Sequence, residues 1–366
     1  MSKAAELAAL IGSQTALSNR NLVINGAMQC WQRATAATAA ANSYNTVDRF
    51  RMNQSNDGAY TTEQSTDTPT GTGFSLKAQV TTADTSIGAA QYAYIHQNIE
   101  AQNLQQLQYG TSDAKNITLS FQVKSNKTGT YTIVVRKFDT TSYHLVIEYT
   151  INSANTWEKK EITISPTAGS TSLITASGGA IANDNGKGIQ IGWNLAFGSD
   201  YTGATNNTWS SNTSHFATSN QVNWMDSTSN NFYLTQVQLE IGEKATPFEH
   251  RSFADELHRC QRYYLSVKNQ ATYGPVGVGR AWSGTRGNCA YYFPCEMRSN
   301  PTISVANLSK FDIVPSGGNP TAIINDGGNL QSAKVGWTSS GVTSGNFYQF
   351  EFGNNTDGDL RFDAEL

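Results

Sequence analysis

The chain has 366 residues, of which 14% are charged and 10% are aromatic, and its formal net charge is −3. Few charges combined with many rings exclude an intrinsically disordered chain, and the absence of Lys/Arg runs excludes a nucleic-acid surface that depends on clustered positive charge. No window of about 18 apolar residues is present, so no membrane-spanning helix is predicted. We also expect no signal peptide, because no basic region precedes an apolar core.

Residues 1–20 are predicted to form a docking or oligomerisation helix followed by a linker. Residues 1–12 read MSKAAELAALIG and place Ala4, Leu7, Ala8 and Ile11 on one helical face. A helix this short is unstable by itself. It is interpreted either as a self-association helix, for example at the base of a trimer, or as a frayed terminus.

Residues 21–251 have the pattern of a large β domain. A strand is predicted at 22–24, before an Asn25-Gly26 turn, and another is predicted to start at 47–50. Alternating apolar and polar residues predict further strands at 58–63, 74–81, 90–99, 116–125, 128–139, 144–151, 157–164, 189–197 and 232–239. At least eight strands, spaced by about 8–12 residues, favour an all-β, antiparallel sandwich of jelly-roll type.

The segment 198–223, GSDYTGATNNTWSSNTSHFATSNQVN, is predicted to be a long loop. Loops longer than about 15 residues in a compact domain are usually functional or disordered. Aromatic rings among Asn, Thr and Ser suit a sugar-binding surface, because rings stack on pyranose faces while amides and hydroxyls bond the sugar hydroxyls. The candidate glycan-binding residues are Tyr201, Trp209, His215 and Phe216. Alternatively, Trp209 packs against its own loop or a neighbouring subunit.

Residues 252–265 are predicted to form a helix that connects two domains. Ser252, followed by Asp255 three residues later, is a variant of the capping box. An apolar stripe at helical spacing is predicted to be buried against a sheet, and it consists of Phe253, Leu257, Cys260 and Tyr264. Two neighbouring charged pairs are predicted to be solvated, namely Glu249 with Arg251 and Glu256 with Arg259.

Residues 266–366 are predicted to form a second, smaller β-sandwich. Its predicted strands are 263–267, 289–293, 302–305, 332–337, 346–352 and 360–364. The Gly-rich stretch 274–287 lacks the third glycine of a dinucleotide-binding fingerprint, and no helix follows it. Trp282 and Trp337 are interpreted either as residues of an exposed tip or as core residues.

The sequence predicts no metal, no cofactor and no enzymatic activity. Cys30, Cys260, Cys289 and Cys295 lack zinc-site spacing and are predicted to be buried free thiols. The acidic loops at 183–185 and 357–359 have too few spaced carboxylates for an EF-hand. No Ser or Cys nucleophile motif accompanies the five histidines.

Several motifs are spread over about residues 21–265, namely NLVINGAMQCWQR, VDRF, NITLSFQVKSNKTGTYTIVV, FYLTQVQLEIGEKATPFEHRS and ELHRCQRYY, and CEMRSNPTISV and FDAEL follow near the end of the chain. Together they resemble the tail-fibre or receptor-binding virion proteins of bacteriophages. The residues of this signature, expected to have structural roles, are Trp31, Asp48, Arg49, Gln238, Glu240, Gly242, Pro247, Phe248, Glu249 and Arg251. Calcium-binding modules of the related carbohydrate-binding type place an Asp in the closing strand, where this chain has Leu234-Thr235-Gln236.

The resemblance implies a virion structural protein, usually a homotrimer, whose β domain is similar to carbohydrate-binding modules. The expected role is host attachment through surface polysaccharide or lipopolysaccharide, with other virion proteins bound by the N-terminal segment. The alternatives are a capsid or tail decoration with purely structural contacts, or a polysaccharide depolymerase. The expected location is the virion, after synthesis in the host cytoplasm, without nucleic-acid binding or membrane insertion.

Overall fold

The computed structural model describes residues 19–38, 43–315 and 317–366, and strands in antiparallel sheets dominate these residues. The chain divides into two units, of which the first runs to Glu256 and also includes Leu366, whereas the second runs from Leu257 to Glu365. The predicted helix at 1–12 and most of the predicted linker lie outside the described residues. No helix within the described ranges is both long and apolar enough to cross a membrane.

Two antiparallel sheets form the first unit. In chain order the strands are β1 (Ala36–Thr38), β2 (Arg51–Ser55), β3 (Ala59–Ser65), β4 (Ser75–Thr82), β5 (Tyr92–Glu100), β6 (Ile117–Ser125), β7 (Gly129–Lys137), β8 (Tyr143–Ile151), β9 (Glu158–Ile164), β10 (Lys187–Phe197) and β11 (Asn231–Ile241). One sheet has the order β1-β3-β4-β11-β6-β9 and the other β2-β5-β10-β7-β8. Short 3₁₀ helices connect them at Ala101–Leu107, Ala168–Ser170, Ser177–Gly179, Ser199–Tyr201 and Trp224–Asp226.

One hydrophobic core lies between these two sheets. Trp193 is fully buried, and its ring centroid lies 5.8 Å from that of Phe121 on the opposite sheet. Alternate residues of each strand supply the core, as a period of two requires. The predicted all-β sandwich of jelly-roll type is therefore confirmed.

The segment 21–33 does not form the predicted strand, although it is attached to β11. The Asn21 side chain takes the place of strand pairing, because its Nδ2 donates to the Val237 carbonyl at 3.0 Å and its Oδ1 accepts from the Leu239 N–H at 3.0 Å. Asn25 and Met28 have positive φ angles, which interrupt an extended strand. A Cβ at Gly26 would lie 2.1 Å from the Val237 carbonyl oxygen, so the close approach to β11 requires glycine.

A buried ion pair network organises this part of the first unit. The Arg251 guanidinium lies 3.3 Å from Glu249 and 3.1 Å from Glu256, and it also donates to the backbone carbonyls of Asn21 and Val23. The three charged side chains are between 6% and 10% exposed. The prediction of solvated pairs is wrong here, because the carbonyls of the opening segment enclose Arg251 from the side that would otherwise face water.

The pKa of Glu249 is shifted by the same buried contacts. Burial alone would raise it, but the N–H of Asn21 and the Arg251 guanidinium outweigh burial and lower the pKa. The carboxylate is therefore ionised in the folded state. We call the set Asn21, Val23, Glu249, Arg251 and Glu256 the Arg251 clamp.

The other signature residues surround the clamp in a second polar layer. Gln238 and Glu240 are buried on β11, where Glu240 accepts from Gln238 Nε2 at 2.8 Å and from the Thr246 N–H at 2.8 Å. Gln238 Oε1 in turn accepts from the Glu249 N–H at 2.8 Å. Gly242 has a φ of 130°, which favours glycine at the turn after β11.

Three further signature residues, Trp31, Asp48 and Arg49, form hydrogen bonds in the segment that precedes β2. Asp48 is buried and accepts from the backbone and side chain of Gln32, and Arg49 Nη2 donates to the Asn98 carbonyl at 2.8 Å. Trp31 Nε1 donates to the Met28 carbonyl at 2.6 Å. The last two are Pro247, which is exposed, and Phe248, which is half-buried and contacts the His250 ring.

The predicted connecting helix is α1 (Phe253–Gln261), and the boundary between the two units falls within it. The capping prediction is confirmed, because Ser252 Oγ accepts from the Asp255 N–H at 3.1 Å. The predicted apolar stripe is wrong at its start, since Phe253 is 55% exposed. Glu256 is buried instead, because the helix turns this carboxylate toward the Arg251 clamp.

The second unit contains the remaining nine strands of the described residues. They are β12 (Tyr264–Lys268), β13 (Pro275–Ala281), β14 (Arg286–Tyr292), β15 (Thr302–Val305), β16 (Phe311–Val314), β17 (Ala322–Gly328), β18 (Ser332–Thr338), β19 (Phe347–Phe352) and β20 (Asp359–Asp363), with a 3₁₀ helix at Leu308–Lys310. The sheets have the orders β12-β20-β15 and β16-β19-β13-β14-β18-β17. They share one hydrophobic core.

Strand β13 was missed by the sequence analysis because glycine is rare in strands. Its glycines allow close packing, since a Cβ at Gly279 would lie 1.8 Å from the Asn288 carbonyl oxygen. The sequence left open whether Trp282 and Trp337 are exposed or belong to the core. Trp337 is fully buried in the core, whereas Trp282 is 48% exposed beyond β13.

The cysteines are free thiols, and Cys30, Cys260 and Cys289 are buried as predicted. Cys295 is only half-buried, which corrects the prediction for this residue. Burial raises the pKa of the Cys289 thiol to about 12. This thiol is therefore protonated and unreactive at neutral pH.

Replacing Arg251 is predicted to destabilise the first unit strongly. Arg251→Ala should lower the free energy of unfolding by about 3–5 kcal/mol, because it leaves two buried carboxylates without their cation. Urea unfolding followed by tryptophan fluorescence measures this change. The control is Lys159→Ala, which removes an ion pair with Glu161 whose side chains are 46% and 50% exposed and should cost at most about 1 kcal/mol. Equal effects of the two variants would contradict the structural role of the clamp.

Candidate functional site

The candidate site is the face of the five-stranded sheet that points away from the core, here called the outer face. Ile95, Ile133 and Trp193 face the core, so the residues that alternate with them face outward. Polar and aromatic side chains occupy these outward positions. The principal ones are Tyr92, Tyr94, His96 and Asn98 of β5, Thr132 and Arg136 of β7, His144 of β8, and Gln190 and Asn194 of β10.

A row of hydrogen-bonded side chains crosses four strands of the outer face. Gln190 Nε2 donates to Asn98 Oδ1 at 2.9 Å. Arg136 donates from Nη1 to Gln190 Oε1 at 3.1 Å and from Nε to His144 Nε2 at 2.9 Å. Because Nε2 of His144 accepts, the imidazole is neutral. Burial and the adjacent Arg136 lower the pKa of His144 to about 4, which agrees with this protonation state.

The segment 198–223 lies over the outer face and bonds many of its polar groups. Asn194 Nδ2 donates to the Phe216 carbonyl at 2.7 Å, and the Thr132 N–H donates to Gln221 Oε1 at 2.8 Å. Ser210 and His144 exchange two backbone hydrogen bonds, at 2.8 and 2.9 Å. The predicted long loop is therefore an ordered segment that is hydrogen-bonded to the sheet. We call residues 198–223 the cover.

Five rings form an aromatic cluster where the cover meets the sheet, and they are Tyr92, Tyr94, Phe197, Tyr201 and Phe216. Phe197 and Phe216 stack with centroids 5.6 Å apart, and Tyr201 meets Phe216 edge to face at 5.8 Å. Tyr94 is buried, whereas the other four rings are half-buried. The cluster thus presents partly exposed ring surface beside the buried amides of the outer face.

Trp209 does not contribute to this surface. Its side chain is 1% exposed, belongs to the core of the first unit, and donates from Nε1 to the Ser165 carbonyl at 2.8 Å. The prediction that its ring contacts a glycan is wrong. The alternative, in which Trp209 packs its own loop, describes the structure, because the segment folds its largest apolar side chain inward.

His215 lies beside a small cavity under the cover. The cavity has a volume of about 120 Å³ and is also lined by His144, Trp209 and Asn212. Sites for small organic ligands usually have volumes of about 300–1,000 Å³. His215 Nε2 lies 3.3 Å from Asn212 Nδ2. This cavity can hold ordered water, but it is too small for a sugar ring in this conformation.

The structure brings together two of the four predicted residues, Tyr201 and Phe216, in one aromatic cluster. Sequence reasoning missed Tyr92, Phe197 and Arg136 as members of the same surface. One signal was available, because rings and charged groups occupy the polar positions of strands predicted at 90–99, 128–139 and 189–197. The sequence pattern does not show which sheet these positions belong to.

The part of the chain that the structure describes contains no candidate set of metal ligands. No group of three or more His, Cys, Asp or Glu side chains is close enough there to hold an ion. His96 is also unsuited to a ligand role from the surface, because it is 1% exposed and stacks on Tyr94 at 5.2 Å.

Comparisons with known proteins gave structural matches only. No protein-family model matches the chain, and no curated protein matches it. Among solved structures, the enzymatically active domain of tailspike protein 4 of bacteriophage CBA120 matches at 12% identity and a TM-score of 0.30, over 61% of this chain and 22% of that chain. The matched part is therefore a small fraction of the tailspike chain.

Carbohydrate-binding modules also match. A family 11 module from Clostridium thermocellum, in complex with a β-1,3-1,4-mixed-linked tetrasaccharide, matches at 13% identity and a TM-score of 0.29, over 58% of this chain and 99% of that chain. The module TmCBM61, in complex with β-1,4-galactotriose, matches at 9% identity and a TM-score of 0.27, over 61% of this chain and 100% of that chain. At such identities and TM-scores, none of these matches carries an argument about function.

Truncation of Trp209 is predicted to act on stability. Trp209→Ala should lower the free energy of unfolding by about 3–5 kcal/mol, because it opens a cavity in the core and removes the Nε1 donor from the Ser165 carbonyl, which keeps the Ala168 N–H. Trp282→Ala is the matched control and should cost under about 1 kcal/mol, because Trp282 is 48% exposed. Urea unfolding compares the two. A near-neutral Trp209→Ala variant would contradict the buried position.

Acidification is predicted to destabilise the fold through His144. Its folded-state pKa of about 4 lies below the ordinary value of 6.5, so the stability it contributes is present above pH 6.5 and is lost as pH falls toward 4. Between pH 7 and pH 5 the loss should be about 2 kcal/mol. His144→Gln should remove that part of the pH dependence of urea unfolding. His250→Gln, at an exposed position, should leave it unchanged.

Proposed function

We propose that this chain is a structural protein of a bacteriophage virion, of tail-fibre type, which attaches the virion to a glycan on the host surface. The observation that supports the proposal best is the aromatic cluster. Four half-buried rings lie beside amide and guanidinium groups, and this combination suits sugars, which have apolar C–H faces and a rim of hydroxyls.

Tyr201 is the ring of this cluster that we expect to contact the glycan most directly. It belongs to the cover, is half-buried and meets Tyr92 edge to face at 5.7 Å. Phe216 stacks on Phe197 and lies 4.9 Å from the Arg136 guanidinium, so it supports the cluster from below. Exposed polar residues of the same segment, including Asp200 and Asn212, are available to bond sugar hydroxyls.

A second candidate is a capsid or tail decoration protein with purely structural contacts. One observation favours it: the cover already bonds Asn194, Thr132 and His144. Much of the hydrogen-bonding capacity of the outer face is therefore used inside the chain. This candidate involves no binding to host cells, whereas the attachment proposal requires it.

The quaternary arrangement belongs to the same proposal. We expect a homotrimer whose N-terminal segment binds other virion proteins. Light scattering that returns the mass of one chain would contradict the trimer. Antibody labelling of intact virions, followed by imaging, would locate the chain on the tail or on the capsid.

The attachment role is tested with host surface polysaccharide. Tyr201→Ala should weaken binding roughly tenfold, because it removes a contact ring at the centre of the cluster. Tyr292→Ala in the second unit removes a ring that is 77% exposed and should leave binding unchanged. Binding is measured by equilibrium titration with the full chain. Absence of binding would favour the decoration role, and release of new reducing ends from the polysaccharide would show a depolymerase.

A further inference from the structure

A second cavity lies away from the outer face, between the 3₁₀ helix Ala101–Leu107 and the loop that reaches Ile181. Its volume is about 330 Å³, which is within the range of about 300–1,000 Å³ that small-molecule sites occupy. The residues that line it are Leu104, Gln105, Gln108, Tyr109, Thr111, Asp113 and Ile181. Apolar and polar groups therefore share one concave surface.

Hydrogen bonds hold the two walls of this cavity together without a ligand. Gln105 Nε2 donates to the Ala182 carbonyl at 2.8 Å, and the Gly110 N–H donates to the Ile174 carbonyl at 2.8 Å. Gly110 has a φ of 90°, and a Cβ there would lie 2.6 Å from Ala180 Cα. The walls meet at a position that requires glycine, so the cavity is pre-formed.

Tyr109 has unused hydrogen-bonding capacity. The residue is 6% exposed, and its hydroxyl is buried without a hydrogen-bond partner among the described residues. A buried hydroxyl without a partner is unfavourable. The hydroxyl has almost no accessible surface, so it lies within the wall of the cavity and does not contact a ligand there.

Gln108 has a backbone conformation that a glutamine rarely adopts. Its φ is 54° and its ψ is 29°, in the left-handed region. Helices commonly end on a residue in this conformation, and Gln108 ends the 3₁₀ helix with its N–H donating to the Gln105 carbonyl. The conformation is fixed in part by Thr111 Oγ1, which donates to the Gln108 carbonyl at 2.8 Å. Gln108 is exposed, and its amide is therefore accessible to a ligand in the cavity.

The composition of the lining selects the chemistry of the ligand. Ile181 is half-buried and offers the accessible apolar contact, since Leu104 and Tyr109 are 1% and 6% exposed. The exposed side chains of Gln108 and Thr111 offer donors and acceptors. Among the described lining residues, Asp113 is the one that carries a charge at neutral pH. Its carboxylate favours a neutral or cationic ligand and repels an anionic one.

We propose that this cavity is a second saccharide site, which binds a single hexopyranose that is either neutral or carries an ammonium group, and which discriminates against a uronate. The C–H face of the sugar contacts Ile181, and its hydroxyls bond Gln108 and Thr111. The site is separate from the Tyr201 surface, so each of the two can be present without the other.

Three sugars of the same ring shape test the proposal, namely methyl β-glucopyranoside, glucosamine and glucuronate. Each is titrated into the isotope-labelled full chain while the backbone amide NMR shifts of residues 104–113 are followed. Glucosamine and the methyl glucoside should shift these amides, and glucosamine should bind roughly threefold more tightly than glucuronate. Absence of shifts with all three sugars, or equal affinities for them, would overturn the proposal.

Variants separate binding from folding. Gln108→Gly should preserve or raise the thermal stability, because glycine adopts a positive φ without strain, and should weaken methyl glucoside binding roughly fivefold through the lost amide. Asp113→Asn should abolish the preference for glucosamine over glucuronate. Gln106→Ala, an exposed glutamine of the same helix outside the lining, should change neither property.

The outcomes also distinguish this site from the attachment surface. Weaker methyl glucoside binding by Gln108→Gly, with polysaccharide binding still sensitive to Tyr201→Ala, would support two separate sites. An unchanged methyl glucoside affinity in Gln108→Gly would overturn the cavity proposal and leave the attachment role standing. Monosaccharide binding in the cavity without any polysaccharide binding would overturn the attachment role alone.

Discussion

The first unit depends on the burial of Arg251 between two carboxylates and two backbone carbonyls. A buried guanidinium is tolerated only when all of its surroundings compensate its charge. Glu249 and Glu256 supply the compensating charges, and Asn21 and Val23 supply acceptors from the opposite end of the unit. The opening segment must therefore be docked on β11 for the network to be complete. Motifs separated by more than 200 residues act in this way as one structural element.

The same requirement for partners explains the cover on the outer face. Asn194, Thr132 and His144 of the five-stranded sheet are buried and need hydrogen-bond partners, and the segment 198–223 supplies them from its backbone and from Gln221. Its abundance of Asn, Thr and Ser thus has a structural use, in addition to any contact with a glycan. Tyr201 and its neighbouring rings remain partly open to water at the edge of the covered face.

Much of the fold was predictable, whereas the candidate site was predictable only in part. Strands such as β6 and β10 alternate apolar and polar residues, and this local pattern is enough to identify them. Strand β13 was missed because its glycines carry no such pattern, although they allow its close pairing with β14. Within the site, Tyr201 and Phe216 were found by composition, but composition left open whether Trp209 contacts a glycan or packs inside the protein.

The sequence by itself determined the all-β class, most strand positions and the capped start of α1, because each follows from neighbouring residues. Only the tertiary structure decided which polar and aromatic groups meet water. The burial of Trp209, the enclosure of Arg251 and the exposure of Phe253 depend on contacts with segments far away in the chain. Residue spacing along a strand or helix defines its two sides, but the partner that covers one of them is supplied by the fold.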